Sequence, residues 1–295
     1  MKTIIKYNNE LSNIDTEQKA YFLGLMYADG CITKKSKYQL HFRISLTDKQ
    51  LIDDLHKLFP FLNYEKWDFG KYNKNSKMQY SLRKTSKDLY KDLLKNGMIE
   101  RKSLENKDFV NLPPINKDLY RHFIRGYFDG DGSISIPSHR KNLRRLEICS
   151  VSKNILLQFN EIFKQNNIKT NNIRAKKIGK ASKSQLYVME WVDSDSILKI
   201  KEFFYNEATI FLKRKKDLFL SFKKINKRDY NPICPICNTK GCTTKGSFRK
   251  MKYGIAKRYY CHNCNKRFTN KEEIAQLKSD KLLENQEIDN QQPSL

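Results

Sequence analysis

The pattern of apolar and polar positions is clearest over Tyr38–Leu46. Leu40, Phe42, Ile44 and Leu46 alternate there with Gln39, His41, Arg43 and Ser45. A period of two predicts a half-buried strand with one polar face. The period then changes. Leu51, Ile52, Leu55, Leu58 and Phe59 stand at i, i+1, i+4, i+7 and i+8, which is one face of a helix. Alternation returns over Met78–Arg83, where Met78, Tyr80 and Leu82 face Gln79, Ser81 and Arg83, and a helix follows near Lys87–Lys95. Upstream, Asp15 with Gln18 three residues on predicts a capped helix start. That helix runs through Tyr21-Phe22-Leu23-Gly24-Leu25-Met26-Tyr27-Ala28-Asp29-Gly30 and stops at Asp-Gly.

The same grammar occurs twice. Phe123-Ile124-Arg125-Gly126-Tyr127-Phe128-Asp129-Gly130-Asp131-Gly132 repeats the first motif at an offset of 102 residues. Each motif leads into strand-like sequence, Cys31-Ile32-Thr33 and Ser133-Ile134-Ser135. At an offset of 104, Arg145–Phe163 repeats His41–Phe59, and Ile155, Leu156, Phe159, Ile162 and Phe163 restore the helical face. Gln185–Val192 is apolar on both faces, so its strand register stays open, and a helix follows near Ser196–Tyr205. The repeats end alike, in Glu100-Arg101-Lys102 and Lys213-Arg214-Lys215, and Pro113-Pro114 separates them. A period near 100 indicates a duplicated domain rather than a solenoid.

The paired motifs carry candidate chemistry. Gly24 and Ala28, like Gly126 and Gly130, form a small-residue stripe at helical spacing. Two such stripes allow two helix backbones to approach closely. Asp29 and Asp131 would then emerge side by side from two helix C-termini, where the dipole disfavours carboxylates. A divalent cation offsets that cost and their mutual repulsion, and Mg²⁺ suits few carboxylates plus substrate phosphates.

Charge and cysteine usage narrow the class further. The 295 residues carry 58 Lys and Arg against 32 Asp and Glu, a formal net charge of +26. That excess is best explained by a polyanionic partner, first of all nucleic acid. No apolar run reaches the ~18 residues of a membrane span. The N-terminus lacks an apolar signal region, so an intracellular protein is expected, cytoplasmic or nucleoid-associated, and not secreted. Five of seven cysteines lie between 234 and 264. Cys234-Pro-Ile-Cys237 and Cys261-His-Asn-Cys264 predict a closed structural Zn²⁺ site of four thiolates. Cys242 and His262 are expected as filler or surface residues, and Cys31 and Cys149 as small core or strand residues. Residues 228–271 hold 11 Lys or Arg and one acid, whereas 272–295 hold six acids and two Lys, a solvated, partly disordered tail.

On these motifs the chain resembles the LAGLIDADG homing endonucleases, the named motif mapping onto Phe22–Gly30 and Ile124–Gly132. The resemblance covers about residues 15–222, as in monomeric two-repeat members. It implies an α+β fold of tandem αββαββα repeats forming a pseudo-twofold saddle over double-stranded DNA. The expected divisions are 1–112 and 113–226 for the repeats, 227–271 for a zinc ribbon and 272–295 for the tail. It also implies a metal-dependent double-strand break at a long asymmetric target, with Asp29 and Asp131 as catalytic metal ligands. The family's sixth motif position is Tyr27 in one copy and Asp129 in the other, and Asp129 is expected to hydrogen-bond or cap near its helix end. The polar strand residues Gln39, His41, Arg43, Gln79, Ser81, Arg83 and Arg145 are the expected base readers. The segment Cys234–Thr269 resembles the zinc ribbons of some transposases, which implies a nucleic-acid-contacting accessory module. A start at Met1 and an end at Ser294-Leu295 are read as those of a free-standing member of a mobile element rather than of an intein. The alternative is a non-cleaving DNA-binding regulator or RNA-splicing maturase on the same scaffold.

Overall fold

The computed structural model describes residues 5–34, 36, 39–68, 77–103, 108, 110–136, 144–176, 184–222, 233–239, 242–251, 254–269, 274, 275 and 278. Tyr38, the basic stretch 223–230 and nearly all of the acidic tail lie outside these residues. The chain divides into two compact units, Met1–Lys224 and Ile225–Leu295.

The first unit is α+β and contains one pattern twice. In the first repeat, α1 (Glu17–Asp29) leads into β1 (Gly30–Lys34) and β2 (Leu40–Leu46). Then come α2 (Lys49–Leu58), β3 (Asn63–Trp67), β4 (Gln79–Thr85) and α3 (Lys87–Lys95). In the second, a 3-10 turn (Lys117–Leu119) opens α4 (Tyr120–Asp131). It leads into β5 (Gly132–Ser135), β6 (Arg145–Ser150), α5 (Lys153–Gln165), β7 (Arg174–Lys176), β8 (Leu186–Trp191) and α6 (Ser194–Tyr205). A further helix, α7 (Lys213–Leu220), closes the unit. Both sheets are antiparallel, with matched orders β1-β2-β4-β3 and β5-β6-β8-β7. The expected helix cap shifts by one residue. Thr16, not Asp15, caps α1 by accepting from the Lys19 amide, because Asp15 pairs with Lys19 Nζ at 2.8 Å and Gln18 donates to Thr209 Oγ1.

One apolar core runs through both repeats. The inward strand residues Phe42, Ile44, Leu82, Leu146, Ile148, Met189 and Trp191 are almost wholly buried in it, beside Leu51, Ile52 and Leu55 of α2 and Ile155, Leu156 and Phe159 of α5. The helices therefore cover one face of each sheet and leave the other available. The open register of Gln185–Val192 resolves through Glu147 opposite Glu190 and Ile148 opposite Met189. Val188 is fully buried yet lies outside the apolar core, on the same strand face as Glu190, where Cys149 and Arg174 are its strand partners.

The second unit has a three-stranded antiparallel sheet, β9 (Thr243–Met251), β10 (Gly254–Tyr260) and β11 (Arg267–Thr269), in the order β11-β10-β9. No helix among the described residues is long and apolar enough to cross a membrane.

Candidate functional site

Helices α1 and α4 pack directly against each other, and their glycines explain how closely. A Cβ on Gly24 would stand 1.9 Å from the Phe123 carbonyl oxygen, and one on Gly126 would stand 2.0 Å from that of Tyr21. Both contacts are with backbone, so only hydrogen fits. A Cβ on Gly130 would meet the Ala28 Cβ at 2.4 Å and Asp29 Oδ2 at 2.9 Å. The small-residue stripes thus bring the two helix ends together, and Asp29 and Asp131 are the last residues of α1 and α4.

Both carboxylates reach solvent, yet protein atoms crowd them. That desolvation, followed by the negative charge of Asp29, pushes Asp131 up to about 6, while Lys102 and Lys215 pull the other way. Asp29 is raised by the same crowding and opposed by the same two lysines. A cavity of about 190 Å³ beside them is lined by Tyr27, Lys102, Tyr127, Asp131 and Cys149, among others. Two crowded, like-charged carboxylates with solvent access fit a hard divalent cation, which relieves both desolvation and repulsion.

The two lysines were not singled out by sequence, although the matched ends of the repeats contain them. Lys102 Nζ donates to the Ala28 carbonyl at 2.8 Å. Lys215, 2% exposed, donates to the carbonyls of Phe128, Asp129 and Gly132 at 2.6, 2.8 and 2.6 Å. Each ammonium thus meets carbonyls at the end of one motif helix, where positive charge opposes the dipole. Burial lowers Lys215 to about 8. Asp129 acts beneath this arrangement. Its Oδ2 accepts from Tyr21 Oη and from the Leu212 amide, each at 2.8 Å, and so ties the start of α7 to both motif helices.

The strand pairings bring the other nominated residues to one sheet face. His41 lies opposite Thr85, Arg43 opposite Arg83 and Ser45 opposite Ser81, on the face away from the helices, and Gln79 continues it along β4. Gln39, just before β2, is exposed, and Arg145 holds the matching face of the second sheet. Ser81 departs from the expectation. It is fully buried, and its hydroxyl shares a 2.7 Å hydrogen bond with Ser45, so neighbouring side chains cover it. Cys31 and Cys149 are strand residues as expected, but neither is in the core.

In the second unit, the Sγ atoms of Cys234, Cys237, Cys261 and Cys264 lie within 4.8 Å of one another. The closest pairs, Cys237–Cys261 and Cys234–Cys264, are 3.4 and 3.6 Å apart. Tetrahedral zinc with bonds of about 2.3 Å places sulfurs about 3.8 Å apart, so these donors fit it. The knuckles are built alike. Asn238 and Asn265, each following the second cysteine, take φ of 56° and 57°, a left-handed turn that Asn tolerates. Cys242 is buried against the four, and His262 hydrogen-bonds Thr243 at the surface.

The chain belongs to the family of LAGLIDADG-like domains, whose model matches it twice, over residues 16–96 and 118–204. An uncharacterized protein of Methanocaldococcus jannaschii is 25% identical over 160 residues, 52% of this chain and 56% of that protein. The probable translation initiation factor IF-2 of the same organism is 25% identical over 195 residues, 61% of this chain but 14% of that protein. The chain therefore spans about half the length of the first relative and a small part of the second. Similar solved structures include the homing endonuclease I-WcaI bound to its DNA recognition sequence, at 14% identity and a TM-score of 0.46, over 72% of this chain and 88% of that one. Another is I-DmoI in complex with DNA and Mn, at 18% identity and a TM-score of 0.42, over 66% of this chain and 98% of that one.

Proposed function

We propose that the protein is a site-specific DNA endonuclease that breaks both strands of a long, asymmetric target. The observation that carries this reading is the pair Asp29 and Asp131, delivered side by side by two helices whose glycines let their backbones touch. Asp29 and Asp131 would hold Mg²⁺, which when bound supplies activation of water and stabilisation of the leaving oxygen. Asp29 and Asp131 fix the position of the scissile phosphates, each serving mainly one strand. Lys102 and Lys215 balance the negative charge of the pair and hold the helix ends in place. They also keep the site electropositive enough to accept a phosphate.

The sheet faces support DNA as the partner. Arg43 and Arg83 stand directly opposite each other; Glu65 pairs with Arg83 and Arg43 bonds the neutral Ser45 hydroxyl, so positive charge remains on this face for a polyanion. Gln39, His41, Arg43, Gln79, Arg83 and Arg145 read base edges, and Ser81 takes part through Ser45. Repeats 1–112 and 113–226 act together as a monomer. The segment 227–271 holds one Zn²⁺ on Cys234, Cys237, Cys261 and Cys264 and adds phosphate contacts, consistent with the 11:1 basic excess of residues 228–271. The test is cleavage of a randomised DNA library by the purified chain. Mg²⁺-dependent double-strand breaks enriched in one sequence support the proposal. Selective binding without any cleavage would favour a regulator instead.

A further inference from the structure

The two sheets match strand for strand, yet their central positions carry opposite charge. Arg43 faces Arg83 across β2 and β4, and at the corresponding place Glu147 faces Glu190 across β6 and β8. Two acids at the middle of a sheet face meant for a polyanion call for an explanation. Their surroundings supply one. Glu190 accepts from Arg145 Nε through one carboxylate oxygen and from Arg174 Nη2 through the other. Glu147 accepts from Lys176 at 3.0 Å and lies 3.8 and 4.0 Å from Arg174 and Arg145. Exposure is layered. The Glu147 and Glu190 side chains are 10% and 19% exposed, whereas those of Arg145 and Arg174 are 49% exposed. The acids lie beneath and the guanidinium groups above. Those bonds keep Glu190 charged, its carboxyl held below the usual range against the cost of its partial burial.

We propose that Glu190, assisted by Glu147, is a positioning residue that fixes Arg145 and Arg174 to read guanine in the half-site bound by the second repeat. The inference rests on the DNA-binding reading above. A free arginine loses considerable side-chain entropy when it binds, and one already held by a carboxylate has lost most of it beforehand. Arg145 spends only Nε on the acid, and Arg174 only Nη2, so each keeps other N–H groups for a base. The O6 and N7 edge of guanine takes two such donors at once. Direct reading of a base amino group by the carboxylates is less favoured, because both acids lie beneath the more exposed guanidinium groups. Among the described residues of repeat 1 no acid grips two arginines: the edge-strand Glu65 pairs with Arg83, and Arg43 is held by the neutral Ser45 hydroxyl at 3.0 Å. The second half-site should therefore be the more strictly read.

The test is selection of bound DNA from a randomised library by the full chain and by Glu190→Gln, with affinity for unselected DNA and thermal melting measured alongside. Glu190→Gln retains the shape and one acceptor oxygen but loses the charge-assisted grip on both arginines. Guanine preference at one or two adjacent positions should fall roughly tenfold. Affinity for unselected DNA should hold or rise, because a negative charge is gone. Arg145→Lys, which keeps the charge and loses the fork, should relax a subset of the same positions. Unchanged base preferences in Glu190→Gln would overturn the proposal, as would loss of a cytosine or adenine preference, which marks direct reading by the carboxylate. If the unaltered chain selects no sequence, the DNA-binding reading itself fails, and this inference with it.

Discussion

Gly24 and Gly126 set the geometry on which the site depends, and each can be tested by one methyl group. Gly24→Ala and Gly126→Ala each force a Cβ into a carbonyl of the facing helix, a backbone clash that side-chain repacking cannot relieve. Overpacking costs typically about 1–3 kcal/mol and more where backbone must move, so chemical denaturation should show each variant at or above the top of that range. A second residue-scale prediction concerns His122. Burial first, then the positive charge of Arg125, lowers its ring to about 4. Folding therefore favours the neutral ring, so its contribution is fully present above the unfolded value near 6.5 and is lost as pH falls from there toward 4. In difference measurements, His122→Gln should lose less stability than the unaltered chain across that window, by on the order of 1–2 kcal/mol after allowance for solvent screening. Equal slopes would show that the ring takes up its proton over the same pH range in the folded and unfolded chain. Asp29 and Asp131 stand out in the sequence because each closes a local motif, and the four cysteines because each Cys-x-x-Cys pair is local. Lys102 and Lys215 are visible there only as matched repeat ends, since their carbonyl partners lie 74 or more residues away.

Elements with one buried face were legible before the structure, because one-sided burial imposes a period on the sequence. Strand β2 and helices α2 and α5 are the clear cases: their alternating or helical apolar sets reach the core, apart from Leu58 at the end of α2, which is exposed. Strand β8 was legible as a strand but not in its register. Val188 is covered on the outward face by its strand neighbours, so burial on both sides erases the period. Helix α7 was missed for another reason. It is short and basic, with a weak apolar face, and is held by the Asp129 bond to Leu212 and the buried Lys215 ammonium rather than by its own pattern. The ion-paired layer of the second sheet joins residues 145, 147, 174, 176 and 190, an arrangement that only strand pairing creates. At this scale the cysteine module makes its own prediction. One zinc per chain should be recovered after reconstitution under reducing conditions. Structural zinc contributes an apparent ~10–16 kcal/mol in small modules, so chelation should unfold the module outright. The two repeats have a separate apolar core and should keep their melting transition. Less than one zinc, or an intact module after chelation, would refute the assignment.

For the whole molecule, the +26 charge should appear as a steep salt dependence of DNA binding, because each phosphate contact releases counterions. Removal of residues 229–295 should weaken binding and flatten that dependence, while chemistry at the Asp pair persists. An unchanged slope would mean that the basic module binds something other than the target. On the proposed reading, duplication would let one chain address two half-sites, and the divergence between Arg43–Arg83 and Glu147–Glu190 would make those half-sites unlike. The central claim is that two carboxylates, one from each repeat, cut the two strands. The most direct measurement is strand-resolved cleavage of a selected target by Asp29→Asn and Asp131→Asn, with binding measured in parallel. Each variant keeps the shape of the side chain and removes one negative charge. Binding should survive, and double-strand cleavage should fall by at least ~10²-fold, the loss expected when one electrostatic catalytic element is removed. Normal cleavage of both strands by both variants would contradict the account.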